Sequence, residues 1–229
     1  MKIGVIVPME EEIKLMKESL TNVKKDSVAG VDITIGNYKN HQVYLAQSGI
    51  GKVQAGMTTT IINDRYQPDF VVNTGSAGGI GEGLHIGDVV ISDKMAYHDV
   101  DATGFGYKVG QLPQQELYFN ADPTYVEKIA AAAKRTGLTS HVGLIVTGDQ
   151  FIDAAEKIAT IKKSFPDALA SEMEGAAVAQ VCTQFKTPFV VIRSMSDVGD
   201  ENASVNFDEF VLQAGRKSVT MLLNFLDQE

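Results

Sequence analysis

Three carboxylates stand where charge is costly: Glu12, Glu174 and Asp197. On a helix starting near Met9, at about 100° per residue, Met9, Ile13, Met16 and Leu20 form one apolar stripe. Glu12 falls between Met16 and Leu15 on that wheel, while Glu10, Glu11 and Glu18 point elsewhere. A carboxylate at such an edge is partly desolvated, which raises its pKa and suits a general base near neutral pH. Glu10 and Glu11 need no such role, because acidic groups at a helix start complement its dipole. Glu174 sits in a run, residues 170–177, that opens a helix whose expected inner face is Val178, Val181 and Phe185. A charge in the middle of that face needs hydrogen-bonding partners, and two adjacent sugar hydroxyls would satisfy both oxygens. A helix-start carboxylate explains the same position equally well. Asp197 lies just past the carboxyl end of the apolar run 188–192, the edge at which open α/β sheets bind ligands. Taken alone, an Asp capping a turn is the commoner reason for such a residue.

The elements that must position these groups alternate along the chain. Strands are predicted at residues 2–7, 31–35, 42–47, 69–73, 88–92, 142–146 and 188–193, and helices near 9–20, 52–65, 123–136, 154–164, 174–186 and 208–226. Phe70-Val71-Val72 and Phe189-Val190-Val191-Ile192 are apolar without alternation, as a sheet covered by helices on both faces requires. The expected fold is a three-layer α/β/α domain. Its longest irregular stretch, residues 96–122, is long enough to be functional.

With 229 residues, and roughly 150 residues per domain as a guide, the chain reads as one domain spanning residues 1–229. Its 44% hydrophobic content supplies a core and excludes disorder. A net charge of −9 opposes broad contact with nucleic acid or anionic lipid. Cys182, the one cysteine, excludes an internal disulfide or a thiolate zinc cluster. No apolar stretch approaches the roughly 18 residues a membrane helix needs, so a soluble cytoplasmic protein is expected, with no nucleic-acid or membrane partner. The glycines of residues 75–83 do not give a dinucleotide fingerprint, and Gly51-Lys52 lacks the upstream glycine of a phosphate loop. His41, His85, His98 and His141 lack metal-ligand spacing, and no nucleophile elbow occurs. No metal and no cofactor is expected.

Six short motifs occur in one order: Met9-Glu10-Glu11-Glu12, Ser48-Gly49-Ile50-Gly51-Lys52, Asn73-Thr74-Gly75-Ser76-Ala77-Gly78, Gly148-Asp149-Gln150-Phe151-Ile152, Glu172-Met173-Glu174 and Ser196-Asp197-Val198. Together they closely resemble the bacterial 5′-methylthioadenosine/S-adenosylhomocysteine nucleosidases, within the purine nucleoside phosphorylase superfamily, over residues 1 to about 225. The resemblance implies an α/β domain with a mixed, partly barrel-like central sheet rather than a simple open one. It implies hydrolysis of an adenine nucleoside thioether, with Glu12 activating water and Asp197, beside Ser196, protonating adenine at N7. Glu174 would bind the ribose hydroxyls, Met173 and Phe151 would flank sugar and base, and the Ile152 backbone would read the adenine edge. Ser76, Ala77 and Gly78 would line the pocket; Met9, Ile50 and Phe207 would enclose the ribose and its thioether side. Glu172 and Arg193 join the expected substrate-binding set. Pro8, Gly175-Ala176 and Met195 depart from the common family pattern.

A phosphorylase would cut the same bond but needs a cationic pocket. Arg65, Arg135, Arg193 and Arg216 are the only arginines, and of these only Arg193 is expected at a strand end. Water is therefore the favoured nucleophile. A catalytically silent nucleoside sensor would not require Glu12 on the inner side, and futalosine or another adenosine-type nucleoside stays open as substrate. Tyr97, Phe105, Tyr107, Leu112 and Pro113 are too many apolar and aromatic groups for a solvated loop, so a homodimer through this stretch is expected. The resemblance adds that Phe105 and Pro113 would reach the partner's thioether pocket.

Overall fold

The apolar run at the start of the chain forms β1 (Lys2–Val7), buried from Ile3 onward because helices cover both of its faces. The computed structural model describes residues 1–198 and 203–229; the side chains of residues 11, 12 and 203–209 lie outside the described set. After β1 come α1 (Glu10–Ser19), the wing strands β2 (Thr21–Val28), β3 (Val31–Tyr38) and β4 (His41–Gln47), and α2 (Lys52–Tyr66). Then follow β5 (Phe70–Gly79), β6 (Val89–Tyr97), β7 (Phe119–Asn120), α3 (Pro123–Arg135), β8 (Ser140–Thr147) and α4 (Ala155–Ser164). The chain ends with β9 (Ala168–Glu172), α5 (Gly175–Phe185), β10 (Phe189–Asp197) and α6 (Ala203–Leu226).

β4 shows how the layers arise. Val43 and Leu45 enter a core shared with Ile13 and Met16 of α1, while Tyr44 and Ala46 join Ile62 of α2 on the other face. The helices divide accordingly, α2 packing on α5, and α1 and α3 both packing on α6.

The sheet is not open throughout. β5 pairs in parallel with β10, β10 antiparallel with β6, β6 in parallel with β8, β8 in parallel with β9, and β9 antiparallel with β5. These five strands close a ring, from which β1, β4, β3 and β2 extend as a wing. Closure leaves the ring without an unpaired edge. It produces the mixed, partly barrel-like sheet that the family resemblance implies.

Several expectations need correction. β5, β6 and β10 run four or more residues past their predicted ends, to Gly79, Tyr97 and Asp197, so residues 75–79 are strand rather than loop and Arg193 lies inside a strand rather than at its end. Apolar patterning fades there because the side chains face a cavity and a polar network instead of a helix. β2, β7 and β9 were not expected: β2 is an exposed strand with no apolar face, β7 is a two-residue strand paired with β6 inside the stretch expected to be irregular, and β9 has five residues. β2 joins β3 through Ala29 and Gly30, both at positive φ, a turn whose twist matches a hairpin. On α5 the inner residues are Ala176, Val178, Ala179 and Cys182; Val181 is only partly buried and Phe185 is 43% exposed, because the helix rolls its small side chains onto the sheet. Tyr97 belongs to β6 and is buried in the chain's own core, its hydroxyl donating to Gln180 Oε1 at 2.6 Å, so it leaves the expected association patch.

Candidate active site

The last residues of three ring strands meet at one rung. Gly78 of β5 pairs with Asp197 of β10 on one side and with Ser171 of β9 on the other. A cavity of about 200 Å³ opens there. Met9, Ile50, Ser76, Ala77, Gly78, Phe151, Ile152, Glu172, Met173, Glu174, Ser196 and Asp197 all line it. Its rim is apolar, with Ile50 53% and Phe151 40% exposed. Its floor is acidic: Glu172, Glu174 and Asp197 are all buried.

Asp197 closes one end. Ser196 Oγ donates to Asp197 Oδ2 at 2.9 Å and lies 3.4 Å from the carbonyl of Ala77. A Cβ on Gly78 would fall 2.9 Å from Asp197 Oδ1, so the carboxylate owes its place on the strand to the absent side chain opposite it.

The two glutamates at the other end differ in role. Glu172 Oε2 accepts from the amides of Glu174 and Gly175, at 3.1 and 2.7 Å, and from Arg193 Nη2; Oε1 accepts from Thr147 Oγ1. Thr147 Oγ1 in turn accepts from Ala176 N at 2.8 Å. Glu172 thus caps the first turn of α5 and balances a buried arginine. Arg193 also donates to Asn73 Oδ1 at 2.6 Å and reaches Glu174 Oε2 at 3.5 Å. It is wholly buried behind the two glutamates and is not among the residues that line the cavity. Glu174 precedes α5 instead of sitting within its inner face, and its Oε1 accepts from Gly51 N at 2.9 Å.

Glu12 lies on α1, which starts beside the lining residue Met9, but its side chain is outside the described residues, as is that of Phe207 on α6. Phe105 is 86% exposed, and neither it nor the exposed Pro113 lines the cavity of the single chain. Among the described residues no group of three or more His, Cys, Asp or Glu side chains could hold a metal, and no helix is long and apolar enough to cross a membrane.

Sequence reading missed Pro8, Gln150 and Ser171 on the lining, and Asn73 and Thr147 behind it. Pro8 fits because its carbonyl accepts from Gly49 N at 3.1 Å, a role that proline keeps. At Gly175 a Cβ would fall 2.5 Å from Met95 Cε, the mobile end of a side chain, and 3.1 Å from Val191 Cγ1, so glycine is the residue that fits without adjustment, while nothing in the structure explains Met195.

A profile of the Phosphorylase superfamily matches residues 2–227. A 5′-methylthioadenosine/S-adenosylhomocysteine nucleosidase of Staphylococcus aureus is 46% identical over 216 residues, covering 94% of this chain and 95% of its own length. The chain belongs to this nucleosidase family. The family's fold is reproduced closely: the Neisseria meningitidis nucleosidase, solved in complex with methylthio-immucillin-A, superposes with a TM-score of 0.98 at 44% identity over 100% of this chain and 99% of that one. A futalosine hydrolase mutant of Helicobacter pylori superposes with a TM-score of 0.95 at 30% identity, over 100% and 99%. The nucleosidase fold therefore accompanies more than one named activity, and the cavity has to carry the finer assignment.

Proposed function

We infer that this nucleosidase, one domain over residues 1–229, hydrolyses the N-glycosidic bond of 5′-methylthioadenosine and S-adenosylhomocysteine. The products are adenine with methylthioribose or S-ribosylhomocysteine. The observation that carries the reading is the cavity itself, with buried Asp197 at one end, buried Glu174 at the other, and an apolar rim between Ile50 and Phe151. Breaking the bond develops positive charge on the ribosyl ring and negative charge on the departing purine. In this reading Asp197, steadied by Ser196, delivers a proton to adenine N7. Glu12 takes a proton from the attacking water, giving the two-carboxylate division of labour seen in inverting glycosidases. Glu174 accepts from the ribose hydroxyls. Met173 and Phe151 flank sugar and base, Ser76, Ala77 and Gly78 line the pocket, and the Ile152 backbone reads the adenine edge. Met9, Ile50 and Phe207 enclose the thioether side, where an apolar rim suits methylthio and homocysteinyl groups alike.

Water is favoured over phosphate on charge. Arg193, the arginine nearest this site, is already balanced by Glu172 and Glu174, so a phosphate dianion beside them would meet net negative charge. Incubation with methylthioadenosine, with and without phosphate, tests the reading: adenine and free methylthioribose are expected at the same rate in both. A sugar 1-phosphate formed only with phosphate would overturn it, and a wild-type enzyme that cleaves futalosine far better would move the substrate assignment.

The reading includes a cytoplasmic homodimer. Phe105 at 86% exposure, Val53 at 81% and Phe185 at 43% support an association face that uses the stretch after Tyr97. Phe105 and Pro113 would then complete the partner's thioether pocket. Light scattering showing a fully active monomer at working concentration would remove this part.

A further inference from the structure

The first two amides at the start of α2 are both taken by carboxylates from distant segments. Gly51 N donates to Glu174 Oε1, and Lys52 N donates to Asp149 Oδ1, each at 2.9 Å. The Lys52 side chain closes the arrangement: Nζ lies 2.6 Å from Asp99 Oδ2 and 3.6 Å from Asp149 Oδ2. Asp149 N donates to Asp99 Oδ2 at 2.9 Å, so one oxygen of Asp99 receives both the ammonium and an amide. Lys52 and Asp99 are 23% and 11% exposed, which shields their attraction from salt far better than on an open surface. Gly51 has φ +98°, and a Cβ there would fall 3.1 Å from Asp149 Oδ1, so the close approach requires glycine.

The three segments joined in this way are not arbitrary. Gly51 follows the lining residue Ile50, and Asp149 is followed by Gln150, Phe151 and Ile152, all on the lining. The amide that holds Glu174 Oε1 is the immediate neighbour of Lys52. We propose that Lys52, gripped by Asp99 and Asp149, is a positioning residue that sets the Glu174 carboxylate for the ribose hydroxyls and holds the two apolar walls at their working separation. With the ammonium removed, the facing carboxylates of Asp99 and Asp149 repel, the start of α2 shifts, and Gly51 N leaves Glu174. The other oxygen of Glu174 is then drawn towards Arg193, and the diol loses its acceptor. This proposal rests on the reading of Glu174 as the ribose-binding group.

The test is discrimination between methylthioadenosine and its 2′-deoxy analogue, measured as the ratio of kcat/KM values for wild type, Lys52→Met, Lys52→Arg and Glu174→Ala. Lys52→Met is expected to lower the ratio about tenfold, the scale of one hydrogen bond to a charged group, mainly through a higher KM for the ribonucleoside. Lys52→Arg, which keeps the charge, should retain most of the ratio. Equal losses on both substrates, or no loss, would show that Lys52 only supports the fold and would overturn the proposal. If Glu174→Ala itself keeps the wild-type ratio, the diol reading fails and the proposal falls with it. A ratio lost in Glu174→Ala but kept in Lys52→Met refutes the proposal alone. Should Lys52→Met not fold, Lys52→Gln, which also removes the ammonium but keeps a hydrogen-bond donor towards Asp99, is judged by the same outcomes.

Discussion

Asp197 and Gly78 face one another across β10 and β5, so closely that a Cβ on Gly78 would fall 2.9 Å from Asp197 Oδ1. The neighbour in question is a carboxylate at the end of a buried strand, tied by Ser196, so it cannot swing away freely. If Asp197 protonates N7 as proposed, Gly78→Ala should displace it and reduce kcat by roughly ten- to a hundredfold, the usual cost of a misplaced catalytic group. Steady-state adenine release, alongside an unchanged circular dichroism spectrum, checks this; near-normal turnover would mean that the carboxylate does not work from this position.

Asp197→Asn and Glu12→Gln each keep shape and remove the group to which the proposed mechanism gives a proton transfer. Each is expected to lower hydrolysis at least a hundredfold, within the roughly 10²–10⁴ that such groups contribute. The thermal midpoint should stay close to wild type. An amide variant with ordinary turnover loses its assigned role.

Glu172 has a different expected signature. Glu172→Gln leaves the wholly buried Arg193 short of its principal charge partner, a change that costs roughly 3–5 kcal/mol when a buried pair is broken. Urea unfolding should show this as a lower midpoint with an unchanged slope. A variant as stable as wild type would indicate that Glu174 and Asn73 suffice to hold the guanidinium.

His98 supplies a pH dependence. Burial pushes its imidazole below the usual value, outweighing the pull of Asp99 in the other direction. The unfolded chain then binds a proton that the folded one refuses. Its contribution to stability is complete above the ordinary histidine pKa of about 6.5 and is lost progressively as the pH falls below that value. Thermal midpoints measured from neutral pH downward should drop less steeply in His98→Gln than in wild type; identical slopes would assign the acid sensitivity to other groups.

Cys182 is buried on α5, and burial pushes its thiol up to about 12. Nucleophilic attack requires the thiolate. A disulfide reagent at mildly alkaline pH should leave the native protein unmodified and react fully once denaturant is added. Rapid modification of the native protein would show that the α2–α5 packing opens readily.

Residue order alone determined a good deal. The burial period of each element is a local property, so the continuous apolar runs announced β5 and β10 as doubly covered strands, and the stripe of Met9, Ile13, Met16 and Leu20 announced α1. The six motifs announced the cavity for the same reason: a lining residue such as Met173 or Phe151 has to be present whatever surrounds it. Tertiary structure decided what each polar group is paired with. Nothing local marks β2, which has no apolar face, or the ring closure, which depends on β9 pairing with both β5 and β8. Arg193 reads as a strand-end cation until Glu172 and Asn73, the latter 120 residues away, are seen to enclose it. Glu174 and Gly51 are 123 residues apart, and Lys52 and Asp99 are 47 apart. A charge in a sequence states its sign; its partner is chosen by which distant segments the core packing brings together.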